Sequence, residues 1–278
     1  MTTDHFKQFE TLHQGNQVLI LPNIWDAASA LLCQAVGASA LATSSAAVAW
    51  SLGYADGGSL PVSEHLGAIQ RILRVSRIPV SIDIEDGYSS DPIQVAELVK
   101  TLSDLGVVGI NIEDGNGSPQ LLCEKIRSIR SALQGRSLFI NARTDVYLNR
   151  GNESEDSLSE VIQRLLHYQN AGANGGFIPG LTSLAKAQRL AKKITIPLNL
   201  MLLPGMEAPT QFYTAGIRRL SYGAAPFQSS YALFNHLSKD VLKNKIPFGI
   251  FDHPLDYDYL NSEVFVLERG SPLSEYRD

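Results

Sequence analysis

Apolar and polar positions along this chain fall into blocks that repeat. Four times, a helix-period segment ends in a small residue and a glycine and is followed at once by a short apolar run: "QAVGASALATSS", "SDLGVVGINIED", "QNAGANGGFIPG" and "YTAGIRRLSYGA". Gly37, Gly106, Gly172 and Gly216 stand where a helix C-cap needs a left-handed backbone. The runs after them are short and often β-branched, as parallel strands buried on both faces are. "VLILPN" (18–23), "IPVSIDIE" (78–85), "SLFINARTD" (137–145) and "IPLNLMLLPG" (196–205) bring the strand set to eight. Helix-period segments separate them at 26–36, 63–75, 91–105, 119–133, 155–171, 182–193, 208–215 and 226–242, and several open on Ser, Thr, Asp or Pro. Strands alternating with helices, with no Pro-rich, Ser-rich or charged linker, predict an α/β (β/α)8 TIM barrel over 1–245. An irregular tail follows at 246–278. A doubly wound open sheet is the alternative, and it needs fewer units.

Composition narrows the partners. The chain has 278 residues, 44% hydrophobic and 18% charged, with a formal net charge of -5. That balance, without a run of Lys and Arg, argues against a nucleic-acid surface. The start, "MTTDHFKQFETLHQ", lacks the basic and apolar segments of a signal peptide, and no apolar stretch is long enough to span a bilayer. A cytoplasmic location is expected. Cys33 and Cys123 form neither metal-type spacing nor a disulfide framework, and both read as buried thiols.

The candidate chemistry lies at the ends of two strands. In a barrel, functional groups stand at the C-terminal strand ends, and alternate residues share a face. Alternation places Asp83 and Glu85 on one inward face and Asn111 and Glu113 on the next. Asn141 and Arg143 follow on the neighbouring strand, with Asp145 two residues further along. Asp86 and Asp114 fall on turns and are expected to shape loops or cap helices. Three converging carboxylates repel one another unless a cation sits among them. Hard oxygen ligands suit Mg2+, which usually keeps several waters. Arg143 beside such a centre suits a substrate carboxylate, or else pairs with one of the acids. The lysines all fall in expected helices, ends or tail, which disfavours a Schiff-base reaction. The six histidines are scattered over expected helices and termini, where packing or surface roles are expected.

"LPNIWDAASALLCQAVGASALATSSAAVAWSLGYADG", "SIDIEDGY", "VVGINIEDG" and "INARTDVYL" together resemble the isocitrate lyase/phosphoenolpyruvate mutase superfamily, over residues 15 to 240. The resemblance implies a barrel that binds Mg2+, with Mn2+ as the alternative ion, and a small carboxylic acid such as an α-keto acid or its enolate. It also implies a homodimer or homotetramer in which the eighth helix is exchanged between subunits. By position, Asp56 resembles an acid supporting the metal site, and Asp83, Glu85 and Glu113 resemble the metal-shell carboxylates. Ser44, Ser45 and Ala46 match the loop that grips the substrate, and Arg143 matches the substrate-binding arginine. Asp26 sits where the family prefers an acid, although a helix N-cap is the expected role.

Two departures bear on activity. Glu85 replaces an aspartate, and "EDGNGSPQLLCEK" stands where the lyases carry a Lys-Lys-Cys-Gly-His-type segment. The mutase loop's Lys and Asn are also missing, with Asn116 a partial substitute. The expectation is a Mg2+-dependent lyase that cleaves a C–C bond of a small α-keto or 2-hydroxy acid through an enolate, with decarboxylation suiting the reduced loop. A phosphonate C–P enzyme and a non-catalytic Mg2+/keto-acid binding protein are the alternatives.

Overall fold

The computed structural model describes residues 2–262 apart from 152, 246, 247 and 253. Nine strands, all parallel to their neighbours, are numbered in chain order: β1 Leu19–Leu21, β2 Asn23–Ile24, β3 Leu41–Thr43, β4 Val80–Asp83, β5 Gly109–Glu113, β6 Phe139–Arg143, β7 Gly175–Ile178, β8 Leu198–Met201 and β9 Arg219–Ser221. The sheet order runs β1-β9-β8-β7-β6-β5-β4-β3-β2. Pro22 separates β1 from β2. Lacking an N–H, it cannot continue a ladder on both sides, but its carbonyl still accepts from the Ala42 N–H at 3.0 Å. So β1 pairs with β9 and β2 with β3. One interrupted stave closes the ring, and the expected (β/α)8 barrel is the fold.

The helices are α1 Thr2–Leu12, α2 Ala27–Ala35, α3 Ser45–Ser51, α4 Val62–Val75, α5 Pro92–Asp104, α6 Pro119–Leu133, α7 Val146–Arg150, α8 Glu155–Ala171, α9 Leu184–Ala191, α10 Pro209–Thr214 and α11 Ala225–Lys239. Their limits follow local chemistry. Asp26 caps α2, accepting the Ser29 N–H at 2.7 Å in a capping box. Asp91 and Ser118 cap α5 and α6, each followed by Pro. The four expected C-terminal glycines all have positive φ, from 91° at Gly37 to 113° at Gly172. Helices α1, α3 and α7 were not expected from the sequence. Of the tail, Phe248–Phe251 forms a 3-10 turn and 257–262 are helical; 263–278 lie outside the described residues.

Strand alternation sorts the core. Ile82, Ile110, Ile112, Ile140 and Leu220 point outward into a layer shared with Ile72, Val99, Ile126 and Leu165 of the helices. Inside the barrel, Leu19, Leu21, Ala42 and Phe139 pack on Phe9 of α1. That helix closes the N-terminal end, with the rings of Phe9 and Phe139 at 5.5 Å and His13 stacked on Phe139 at 4.3 Å. The barrel's middle layer is polar. Asn111 Oδ1 accepts from Asn141 Nδ2 at 2.9 Å and from Arg219 Nη2 at 3.3 Å. The opposite, C-terminal end is therefore the one left open.

Candidate active site

At that open end β4 terminates on Asp83, and its carboxylate is tied down on one side. Asp83 Oδ2 accepts from Ser45 Oγ at 3.0 Å and from the Ser45 N–H at 3.4 Å, while the Asp83 N–H donates to Thr43 Oγ1 at 2.9 Å. Its Oδ1 is buried with no partner among the described residues. Burial raises the Asp83 carboxyl above the usual aspartate range, against the opposing pull of Arg143 and the bonds from Ser45.

Glu85 reaches the same mouth by a route that strand alternation does not describe. The strand stops at Asp83, and Glu85 adopts a left-handed backbone, φ 52°. Its carbonyl accepts from the Glu113 N–H at 2.9 Å, joining the turn to β5. The nearby Gly58 N–H favours the charged form of the side chain, and its buried Oε1 has no partner among the described residues. Burial first, then the charges of Asp56, Asp83 and Asp86, raise this carboxyl to about 7. Asp56 is exposed, on the 53–58 loop.

Glu113, at the end of β5, pairs with Arg143 at 2.6 Å. Burial, together with Asp83, Asp145 and Glu85, still raises its carboxyl to about 8 despite Arg143. Arg143 also grips Asp145, Nε to Oδ1 at 2.6 Å and Nη2 to Oδ2 at 3.0 Å. A guanidinium carries five N–H donors, so two remain free of these three bonds. Burial opposes the charge on Arg143, but Glu113, Asp145 and Asp83 outweigh it and hold the group firmly protonated.

Asp114 was expected to shape a loop, and it does so from inside the protein. Its fully buried carboxylate accepts from the Asp145 N–H at 2.9 Å, Arg164 Nη1 at 2.8 Å and Tyr168 Oη at 2.5 Å. It thereby fixes the residue that orients Arg143. Asp86 stays half-exposed, as a turn residue should. Ser44 caps α3, its hydroxyl accepting from the Ala47 N–H, and Ser45 and Ala46 form the first turn of that helix. The expected "loop" is thus a helix start.

Three sequence expectations are corrected. Glu85 enters by a turn and not by alternation. Lys125 belongs to α6, as expected, but its Nζ reaches the turn after β4 and donates to the Asp86 carbonyl at 2.7 Å, so a lysine does stand at the mouth. Cys123 is buried, whereas Cys33 is only partly so. Sequence reasoning also missed Arg219, which reaches from β9 across the barrel interior to Asn111 on β5. It is 1% exposed, with Nε and Nη1 lacking partners among the described residues. Burial lowers it to about 9, opposed by Asp83. Its only sequence signal was an arginine at an inward position of a strand.

A cavity of about 370 Å³ opens beside the cluster, lined by Glu85, Asp86, Glu113, Asn116, Ser118 and Lys125. Among the described residues no three His, Cys, Asp or Glu side chains stand close enough to enclose an ion by themselves. The donor set nevertheless fits a hydrated cation. Asp83 and Glu85 each present a buried oxygen without a partner, and all three acids are raised by burial. Mg2+ characteristically takes one or two carboxylates and keeps its waters.

Comparison with known proteins places this arrangement. The family model described as phosphoenolpyruvate phosphomutase matches residues 9–242. The chain belongs to that family, within the isocitrate lyase/phosphoenolpyruvate mutase superfamily. It is 29% identical to a 2-methylisocitrate lyase of Aeropyrum pernix over 92% of this chain and 84% of that one. It is 32% identical to an oxaloacetate decarboxylase of Pseudomonas aeruginosa over 65% of this chain and 66% of that one. A Burkholderia cenocepacia J2315 crystal structure, provisionally described as a phosphonomutase, superposes with a TM-score of 0.81 at 33% identity, covering 85% of this chain and 99% of that one.

Proposed function

We propose that this protein is a Mg2+-dependent lyase, with Mn2+ as the alternative ion, that cleaves a C–C bond of a small α-keto or 2-hydroxy carboxylic acid. The observation that carries the reading is the set of three desolvated carboxylates, Asp83, Glu85 and Glu113, facing Arg143 at the open end of the barrel. The 2-methylisocitrate lyase and oxaloacetate decarboxylase relatives support the reaction class.

Asp83, Glu85 and Glu113 would hold the ion, directly or through its waters, with the exposed Asp56 adding charge at the rim. When bound, the ion supplies Lewis-acid stabilisation of negative charge on the substrate oxygens. The two remaining N–H groups of Arg143 bind the substrate carboxylate, and Asp145, anchored by Asp114, keeps the guanidinium in plane. The first turn of α3 would meet charge that develops on the keto oxygen through the Ala46 N–H beside the Ser44 cap, while the Ser45 N–H and hydroxyl hold Asp83. In decarboxylation of a β-keto acid, the bond from C3 to the carboxylate breaks, CO2 leaves, the electron pair passes to the keto oxygen as an enolate, and a proton from water at C3 converts that enolate to the keto acid. In the short loop 114–118, Asp114 is committed to structural bonds and Asn116 has no titratable group. Loss of CO2 from a β-keto acid requires no acid from that loop, so decarboxylation suits the site best.

The similarity to the Burkholderia structure favours one second reading, cleavage or rearrangement at a phosphonate C–P bond. A panel of oxaloacetate, 2-methylisocitrate and phosphonopyruvate, assayed with Mg2+, separates the two. The lyase reading expects keto-acid release from a carboxylate substrate, abolished in Asp83→Ala. Turnover of phosphonopyruvate alone, or full activity in Asp83→Ala, overturns it.

The proposal extends to assembly: a cytoplasmic homodimer or homotetramer that exchanges α11, the barrel domain running to 245. Of α11 only Phe227 is buried, while Tyr231, Leu233 and Phe234 are exposed. No described helix is long and apolar enough to cross a membrane.

A further inference from the structure

Lys125 is a buried cation that the proposed chemistry does not use. Its side chain is 3% exposed, and Nζ lies 2.7 Å from the Asp86 carbonyl oxygen and 3.5 Å from Asp86 Oδ2. The Asp86 carboxylate is itself 52% exposed, so water competes for it. The carbonyl bond is the short one. An ammonium group is costly to withdraw from water unless it is paired and hydrogen-bonded, and here it is spent on a backbone oxygen in the turn after β4.

That turn is unusual. Glu85 and Tyr88 have φ of 52° and 59°, and Gly87 has 96°. Left-handed non-glycine residues are strained and persist where their surroundings over-determine them. Three successive carbonyls of the turn each have a separate donor. Ile84 O accepts from the Gly87 N–H at 2.7 Å, Glu85 O from the Glu113 N–H at 2.9 Å, and Asp86 O from Lys125 Nζ. From the other side Val95 presses on Gly87, where an added Cβ would come within 2.7 Å of it. Two of the three bonds are backbone to backbone and survive any side-chain change. The third depends on Lys125.

We propose that Lys125 is a positioning residue: by holding the Asp86 carbonyl, its ammonium fixes the left-handed turn that aims the Glu85 carboxylate into the mouth. Its importance for function rests on the cation-binding reading above; its effect on the turn does not. The test compares Lys125→Met, Lys125→Arg, Asp86→Asn and, as a control at the opposite end of the barrel, Phe9→Ala. Mn2+ affinity is read directly by paramagnetic resonance of the free ion, and backbone mobility by hydrogen exchange over 84–90.

Lys125→Met is expected to weaken Mn2+ binding by about tenfold or more, the range for groups that orient metal ligands. It should also speed exchange at 84–90 without affecting the other strands. Lys125→Arg should recover both. Asp86→Asn, which keeps the carbonyl, should change little. Exchange at 84–90 in Lys125→Met that matches wild type, or a Mn2+ loss no larger than that of Phe9→Ala, overturns the proposal. If wild type binds no Mn2+, the cation-binding reading fails by itself, and the exchange measurement still decides the role of Lys125.

Discussion

Asp83 and Glu85 stand two residues apart and share a mouth, yet one arrives on a strand and the other on a left-handed turn. Both pay for the position with burial, and so does Glu113, whose carboxyl is raised to about 8 while that of Glu85 is raised to about 7. The consequence for stability has a definite sign. From their ordinary value of 4.5, these groups keep protons in the folded state that the unfolded chain has already released, so they withdraw stability from the cation-free protein as pH rises from about 4.5 to about 8. Buried His13 and His65, lowered to about 3 and about 4, act in the opposite sense up to their ordinary value of 6.5, so the carboxyls are read above it. Urea melts should give a lower midpoint at pH 8 than at pH 6.5, and excess Mg2+ should raise the midpoint more at pH 8. A midpoint constant across that window contradicts the assignment. The acid types and their clustering were legible in the sequence because so few contexts tolerate three neighbouring carboxylates. The route of Glu85 was not, because period-2 alternation continues only as far as the strand does. Lys125 and Arg219 were hidden for a different reason: each acts on a residue far away in sequence.

The elements that announced themselves did so through their ends. Glycines with positive φ close α8 and the segments before β3, β5 and β9, and Asp26, Asp91 and Ser118 open α2, α5 and α6. The short elements α3 and α7 were missed even though Ser44 caps the first and Gly151, at φ 65°, closes the second, because seven and five residues are too few to show a helical period. Helix α1 is more instructive. Its sequence is polar, but Phe6, Phe9 and Leu12 recur at helical spacing and face the barrel interior. The fully buried Phe9 stoppers the N-terminal end against Phe139. Phe9→Ala should cost about 3–5 kcal/mol, the usual range for truncating a buried aromatic. Denaturant unfolding checks it, and a loss below about 1 kcal/mol would show that α1 is dispensable to the core.

At the scale of the whole molecule, Pro22 lets one stave serve two neighbours and closes the barrel, leaving a single open mouth for the acids. The ring leaves α11 largely unburied, with Phe234 66% and Leu233 59% exposed. If a neighbouring subunit covers that face, Phe234→Asp should shift the sedimentation coefficient from an oligomer to a monomer; a wild-type monomer at micromolar concentration contradicts helix exchange. The central claim is that the mouth is a cation-dependent enolate site. Oxalate, a planar mimic of the pyruvate enolate, tests it most directly by calorimetric titration with and without Mg2+, on wild type and Asp83→Ala. The account predicts binding by wild type with Mg2+ and none when either the ion or Asp83 is removed. Oxalate binding that ignores both would place recognition elsewhere on the molecule, and no binding under any condition would contradict the enolate chemistry itself.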